Sequence, residues 1–574
     1  MKKYLNLFVF VLLAILVVIF TNGFLNTYFQ QDEWNGFGVI ITLVHKPIWA
    51  WFNLATSLHF FPLNSLTWLM MYRVFEYNAQ YYILTAILIH IIASFLVFVL
   101  AKKLSASTFV GILTAVLFAT NSRARTAFLH LGVFSNTVPF FIFVILFFIY
   151  LFNIAKKTIY GFKEAIVLLL LFFSAVFFRE EGVILIPLLP AFLYIYNKAA
   201  LNRKNIKFFV VFYGFSAAFF VYRIFLQFIT PHADQISGKS FFLTYLYNAL
   251  TFPFKLIVQN IADGYYDVML FVIKHYSILY PFEIPFQVVT TILFDLAILL
   301  LFIIITFLFF IVTKGIKDKS FWKHIQFFLF FILINAGMLA TIGRRMERIE
   351  ERYLYLSGFA VLFLLSLIAY KIYNTNTGNK LLNLSKKIIV TGIIITIIFS
   401  SYSVMQEEIK VHQVQGQVRK QIISNIVKLH PSIPKKTIFY INCKDACVRN
   451  SEFGVSNNLV LPFSSGPGWI ILLQYAKENE NAYHKFFSYN GQGIIWDWKT
   501  GKFSKAQVKE FLWDMGSQGY REIGEYGFGY YTDIKLLQET LIKEKLNKNI
   551  VIGLEYDEKE FIIKDVSKDI QSKL

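Results

Sequence analysis

The sequence predicts an α-helical polytopic membrane protein that carries a soluble α/β domain at its C-terminal end, and three observations lead there. The 574 residues are 57% hydrophobic, 18% aromatic and only 16% charged, with a mean hydropathy of +0.56. That is far too apolar for a soluble chain of this length. Apolar runs recur at the length a bilayer demands, about 20 residues for a core about 30 Å thick. From Met405 onward those runs cease, and short strand-like and amphipathic patterns replace them.

Eleven runs are assigned as spans: Tyr4–Phe20, Tyr81–Leu100, the short Val110–Thr120, Val138–Phe152, Ala165–Phe178, Gly182–Tyr196, Ile206–Phe228, Phe286–Val312, Phe327–Ile342, Tyr353–Tyr370 and Ile388–Val404. Lys2 and Lys3 could open a signal peptide, but no small-residue cleavage site follows the first run, so it is read as a helix. The transmembrane domain is thus residues 1–404, and the soluble domain residues 405–574.

Alternate loops are basic: Lys2/Lys3, Lys102/Lys103, Lys156/Lys157, Lys198–Lys207, Lys314–Lys323 and Lys371–Lys387. Lysine and arginine accumulate in cytoplasmic loops, so the N-terminus is expected inside a multi-pass cell-membrane protein. Phe24–Gln80, Asn121–Thr137, Thr230–Pro285 and the C-terminal domain then fall outside. Residues from Met405 carry 23 Lys+Arg against 20 Asp+Glu, so +17 of the net +20 sits on the first 404 residues. Loop positives account for that excess, and no nucleic-acid partner is expected.

One outer loop breaks the rule. "TIGRRMERIEERYLYL" holds Arg344, Arg345, Arg348 and Arg352 against Glu347, Glu350 and Glu351. If the following helix begins early, Arg345, Arg348 and Arg352 share a face at i, i+3 and i+7. Guanidinium forks suit phosphate, and a run of salt bridges along a helix end is the plainer alternative.

The first outer segment has the complementary chemistry. Asp32 and Glu33 precede "GFGVIITLVHKPIWAWF", an aromatic stretch interrupted by Pro47 and expected to lie in the interface as two short helices. It would hold the acids at headgroup depth. Arg179, Glu180 and Glu181 sit between two runs at the same boundary, where charges are costly enough to suggest a role; a hairpin closed by an Arg–Glu pair explains them equally well. His59 and His232, with Asp32, Glu33 or Asp234, offer ligands to a divalent cation, although no HxH or HExxH spacing is present.

In order, spacing and sidedness, "QDEW" (Gln31–Trp34), "HFFPLNSLTWLMMYRVF" (His59–Phe75), "REEGVILIPLL" (Arg179–Leu189) and "ERYLYL" (Glu351–Leu356) resemble the GT-C glycosyltransferases, especially the protein O-mannosyltransferase and lipid A aminoarabinose transferase group. The resemblance spans residues 1–404. It implies an inverting enzyme that takes a sugar from a polyprenyl-phosphate donor and passes it to a glycan, lipid or protein acceptor, with the first-loop aspartate, here Asp32, as general base. Two positions depart from the family. Phe61 stands where many relatives have Arg, and Asn121-Ser122 where His-Pro is frequent, which puts the donor contacts of those positions in doubt.

The residues support the same chemistry alone: displacing a lipid phosphate needs a carboxylate to take the acceptor's proton and cations to stabilise the departing phosphate. Asp32 and Glu33 supply the first, and Arg344, Arg345, Arg348 and Arg352 the second. His59, Arg179, Glu180 and Glu181 are the expected support. A lipid-linked oligosaccharide flippase or other transporter is the alternative class, expected to show repeats and charges within its spans, whereas here no repeat is found and the charges gather in the outer loops. A polysaccharide ligase or polymerase using a diphosphate donor is a third.

In the C-terminal part, "KTIFYIN" and "NIVIGLEYD" read as strands, Lys505–Gly516 and Asp533–Leu546 as helices, and Gln406–Pro431 as an amphipathic helix leaving the last span. "FSSGPGW" lacks the Lys-Ser/Thr pair of a phosphate loop and reads as a turn. Cys443 and Cys447 could pair across a turn outside the cell, and a zinc site is not expected.

Overall fold

The computed structural model describes residues 2–30, 33–34, 37, 62–229, 239–262, 265–275, 286–314, 316–341, 348–375, 380–434, 436–442, 473–475, 490–497, 502–509, 519–523, 526–531, 533–557, 560 and 562–574. Helices dominate: α1 (Lys2–Phe20), α2 (Pro62–Phe75), α3 (Ala79–Ser105), α4 (Thr108–Ala119), α5 (Leu131–Ile154), α6 (Phe162–Phe178), α7 (Leu185–Tyr196), α8 (Ile206–Ile229), α9 (Lys239–Gln259), α10 (Tyr265–His275), α11 (Phe286–Thr313), α12 (Lys319–Ala340), α13 (Glu351–Asn374) and α14 (Lys380–Leu429). Each of the eleven apolar runs falls wholly or mostly on one of them.

Among the described residues, seven helices are long and apolar enough to cross a membrane, and the Tyr4–Phe20 and Thr108–Ala119 helices are shorter apolar ones. The long helix α11 makes the case most directly. Ile292, Leu296, Leu300, Ile303, Phe307 and Phe310 are all exposed on it, an apolar surface that water would not tolerate and that lipid would cover. The structure is consistent with a helical membrane protein.

Local chemistry sets the helix starts. Pro62 opens α2, where its missing N–H is no loss. Asn78 caps α3 by accepting from the Gln80 N–H, Ser107 caps α4, and Asp318 caps α12. Inside, aromatic side chains interlock: Phe29, Trp34, Phe37, Trp68 and Tyr82 are all buried and meet edge to face or tilted at about 5 to 6 Å. They seat the chain just after α1 against α2 and α3.

Several expectations need correction. The fourth span begins earlier than Val138, because α5 starts at Leu131, preceded by short helical turns over Ser122–Leu129. Thr230–Pro285 contains two helices, α9 and α10, and α9 packs against α11, α12 and α13. Residues Arg348–Glu350 are not helical: α13 begins at Glu351, and Glu350 has an extended conformation. Arg348 therefore does not share a helix face with Arg352. The last span and the amphipathic segment after it form one continuous helix, α14, that passes residue 404 without a break.

Beyond α14 stands a small sheet with strand order β4-β5-β1-β6-β7, made of β1 (Lys436–Asn442), β4 (Gly519–Ile523), β5 (Tyr526–Tyr531), β6 (Val551–Asp557) and β7 (Ile562–Asp565). β1 lies at its centre, parallel to both neighbours. Between β5 and β6 runs α15 (Ile534–Lys543), and α16 (Ser567–Lys573) packs on β6. A separate antiparallel pair joins β2 (Asn490–Asp497) to β3 (Lys502–Lys509). β3 overturns the start of the helix expected over Lys505–Gly516. There pairing with β2 prevails over apolar spacing, and the residues that gave that spacing, Phe511, Leu512 and Met515, lie outside the described residues. The expected turn at Phe463–Trp469, with Cys443 and Cys447, does so too.

Candidate functional site

The two ends of the helical bundle differ in chemistry. At one, lysines take simple partners: Lys103 donates to Asn153 at 2.8 Å, Lys157 pairs with Glu164 at 2.6 Å, and Lys371 pairs with Asp318. At the other, where α1, α4 and α6 end and α5, α7 and α13 begin, arginines and glutamates from distant segments converge.

The first turn of α13 is the hub. Glu351, buried, pairs with Arg125 Nη2 at 2.9 Å and accepts from Arg348 Nη2 at 2.8 Å. Arg125 lies in the helical turns after α4, and the same Nη2 reaches Glu408 of α14 at 3.2 Å. Glu408 pairs with His412 one turn on at 3.2 Å, and the Gln30 side chain meets the other ring nitrogen at 3.1 Å. A polar chain thus runs from Arg348 through Glu351, Arg125, Glu408 and His412 to Gln30, in the segment that follows α1. Glu351 at the start of a helix also meets the positive end of its dipole.

One residue further along α13, Arg352 pairs with Glu350, and its guanidinium lies 5.0 Å from the Tyr353 ring centre. Arg179 covers the same ring at 4.9 Å, pairs with Glu181 at 2.6 Å, and donates to Thr137. Two guanidinium groups therefore share one aromatic ring, which ties the α6–α7 turn to α13. Burial pushes the Glu181 carboxyl upward, against the pull of Arg179 and Arg352. Glu180, beside it, is half-buried.

Glu33 is wholly buried. The Gly132 N–H donates to its Oε1 at 2.9 Å, and His130 Nδ1 is 3.4 Å from that oxygen. Burial pulls the Arg419 guanidinium on α14 below its ordinary value, and the Glu33 charge opposes that pull. These contacts anchor the segment that carries Asp32.

The structure thus brings Glu33, Arg179, Glu181, Arg348 and Arg352 to one end of the bundle. Asp32, His59, Arg344 and Arg345 lie outside the described residues, as do His232 and Asp234. Among the described residues no group of three or more His, Cys, Asp or Glu side chains could hold a metal ion. Sequence reasoning missed Arg125, His130, Glu408, His412 and Arg419. A signal existed for three: Glu408 and His412 stand four apart in a polar stretch. Arg125 carried the same sign of misplaced positive charge as Arg344–Arg352.

One further correction bears on function. Asp295 lies within the apolar run Phe286–Val312, so a charge does sit inside a predicted span. It pairs with Lys255 of α9 at 2.8 Å and accepts from the Tyr247 hydroxyl.

No protein-family model matches the chain, and no curated protein matches it.

Proposed function

We propose that the chain is an inverting membrane glycosyltransferase that moves a sugar from a polyprenyl-phosphate carrier to a glycan, lipid or protein acceptor at the outer face of the cell membrane. The acceptor hydroxyl attacks the anomeric carbon and its proton passes to Asp32. The bond from that carbon to the phosphate oxygen breaks, and the lipid phosphate leaves with the electron pair. The observation that supports the reading is the gathering of arginines and glutamates around the first turn of α13, at the end of the bundle where the first outer segment docks. Cations next to a departing phosphate are what that step needs.

Glu33, buried and anchored, is the positioning residue in this reading, and Asp32 alone takes the proton. Arg352 and its partner Glu350 are each about a third exposed, at 34% and 37%, whereas Arg348 is 16% exposed. Arg352 is therefore the described arginine that can exchange a carboxylate for a donor phosphate with least rearrangement.

The test is single-turnover transfer from polyprenyl-phosphate sugars by wild type, Asp32→Asn and Arg352→Ala, with donor binding measured in parallel. Asp32→Asn should lose about 10²–10⁴-fold in rate with donor binding intact, the share general-base catalysis supplies. Arg352→Ala should weaken donor binding roughly tenfold, one charge-assisted contact. An Asp32→Asn rate near wild type removes the base from its assigned place.

The Lys255–Asp295 pair favours a second reading, a transporter of lipid-linked sugars, since ionisable groups within spans mark translocation pathways. Lipid movement in proteoliposomes, with no glycosyl product from the wild type, would decide for it.

A further inference from the structure

A cavity of about 1100 Å³ opens beside α14 beyond the charged cluster. Its walls are the distal half of α14, the segment Leu25–Tyr28 that follows α1, and the corner Val74–Tyr81 joining α2 to α3. The corner is fixed by its backbone. Glu76 adopts a left-handed conformation with φ 49°, uncommon for a residue with a Cβ, and the buried Tyr82 hydroxyl donates to its carbonyl at 2.9 Å. The floor is fixed by Gly416: a Cβ there would lie 2.6 Å from the Tyr28 backbone nitrogen, so only glycine lets α14 approach the segment this closely.

The lining is rich in side-chain amides and tyrosines. Asn78, Gln80 and Gln417 are exposed to the cavity, with Tyr28, Tyr77 and Tyr81 beside them. Amides both donate and accept, which suits vicinal hydroxyls, and tyrosine presents a flat apolar face with a polar tip. Drug-sized pockets measure about 300–1000 Å³, so this space exceeds what a single sugar ring needs. Charge adds direction. Lys420 and Lys428 line the same wall of α14, about 12 Å apart at 1.5 Å per residue, against one carboxylate among the described lining residues, Glu76.

We infer that this cleft binds an anionic glycan chain, laid along α14 with its acidic groups toward Lys420 and Lys428 and its rings against the tyrosines. Glu408 is nine residues before Gln417 on the same helix, about 13 Å away, so a chain in the cleft can end at the charged cluster. As an acceptor site the inference rests on the transferase reading; as a glycan site it rests on the cleft alone.

Binding without donor separates the two. Full-length protein in zwitterionic lipid nanodiscs is titrated with a uronic-acid hexasaccharide and with maltohexaose. The acidic chain should bind saturably and at least tenfold tighter than the neutral one, and more weakly as salt is raised. Lys420→Glu and Gln417→Ala, both at exposed positions, should each weaken it about tenfold. Lys410→Glu, exposed on the same helix outside the cleft, should leave it unchanged, and the melting temperature of each variant reports its folding. No binding of the acidic chain, equal binding of both chains, or cleft variants that bind like wild type while melting normally overturns the inference, and leaves the transferase reading to its own test.

Discussion

At the residue scale the molecule turns on Arg125. One of its guanidinium nitrogens serves two carboxylates, and one of these is on Glu408, 283 residues away in sequence. Removing a single partner from a buried pair costs about 3–5 kcal/mol where it strands the other charge. Arg125→Met leaves the buried Glu351 with Arg348, so it should lower the melting temperature by less than that full penalty. Arg125→Met with Glu351→Gln should recover much of it, because Glu408 keeps His412 and water access, and Arg348 is partly exposed. Equal melting temperatures for the single and double variants would show that Glu351 is not held by Arg125. Glu33 has a milder test. Glu33→Gln keeps an acceptor for the Gly132 N–H, whereas Glu33→Ala leaves a donor unpaired and should cost about 1–3 kcal/mol, read by the same melts. The sequence exposed Arg348 and Arg352 as misplaced charges, but it could not reveal their partners. Pairing across hundreds of residues depends on which helix ends meet, and that is a property of the packed bundle.

At the element scale hydropathy was a good guide wherever a helix is a continuous apolar run, because lipid and core both select for apolar side chains. It failed for α2 and α9, whose sequences mix tyrosine, asparagine and a basic residue, Arg73 in α2 and lysine in α9, with apolar residues and, in α9, include Pro253. Their burial comes from neighbours, which periodicity does not report. It also treated α14 as two pieces, since its apolar half and its polar half look unlike although the backbone never leaves the helix. The polar half is a docking surface: Gln406 donates to the Phe20 carbonyl at 2.9 Å, Gln413 to that of Gly23, and Gly416 abuts Tyr28. Their spacing of seven and three residues places them on one face. Gly416→Val should push the first outer segment off this face and cost about 1–3 kcal/mol as overpacking. Gly337→Ala on α12, where a Cβ would meet nothing within 4 Å, should be neutral or stabilising by up to about 1 kcal/mol. Paired melting curves check both, and a harmless Gly416→Val would mean that α14 and the segment do not touch as described.

At the scale of the whole molecule, the prediction is one of sidedness. Arg125, Arg179, Glu351 and Glu408 meet at one end of the bundle, while Lys103, Lys157 and Lys371 mark the other. Positive residues in short loops favour the cytoplasm, so the lysine end should lie inside and the arginine–glutamate end outside. Eleven crossings, the number the apolar runs predict, would then place the sheet beyond α14 outside as well, since an odd number of spans would separate it from a cytoplasmic N-terminus. The structure adds a physical tie: the His430 ring at the end of α14 lies 3.2 Å from Asp565 of β7, and the Tyr475 hydroxyl donates to the His430 carbonyl at 2.6 Å, so the sheet is held to the end of that helix rather than hung on a free linker. Reporter fusions after Lys103, Lys157, Lys371 and Leu574 give the check, using one enzyme active only in the cytoplasm and one active only outside. The first three should light the cytoplasmic reporter, and the Leu574 fusion the outer one. A cytoplasmic signal at Leu574 with the lysine loops also cytoplasmic would require an even number of spans. Because Lys371 would still lie inside, the change would fall after it: α14, the one apolar run beyond Lys371, would be the helix that does not cross, and the cleft beside it would have to find its glycan on the inner face.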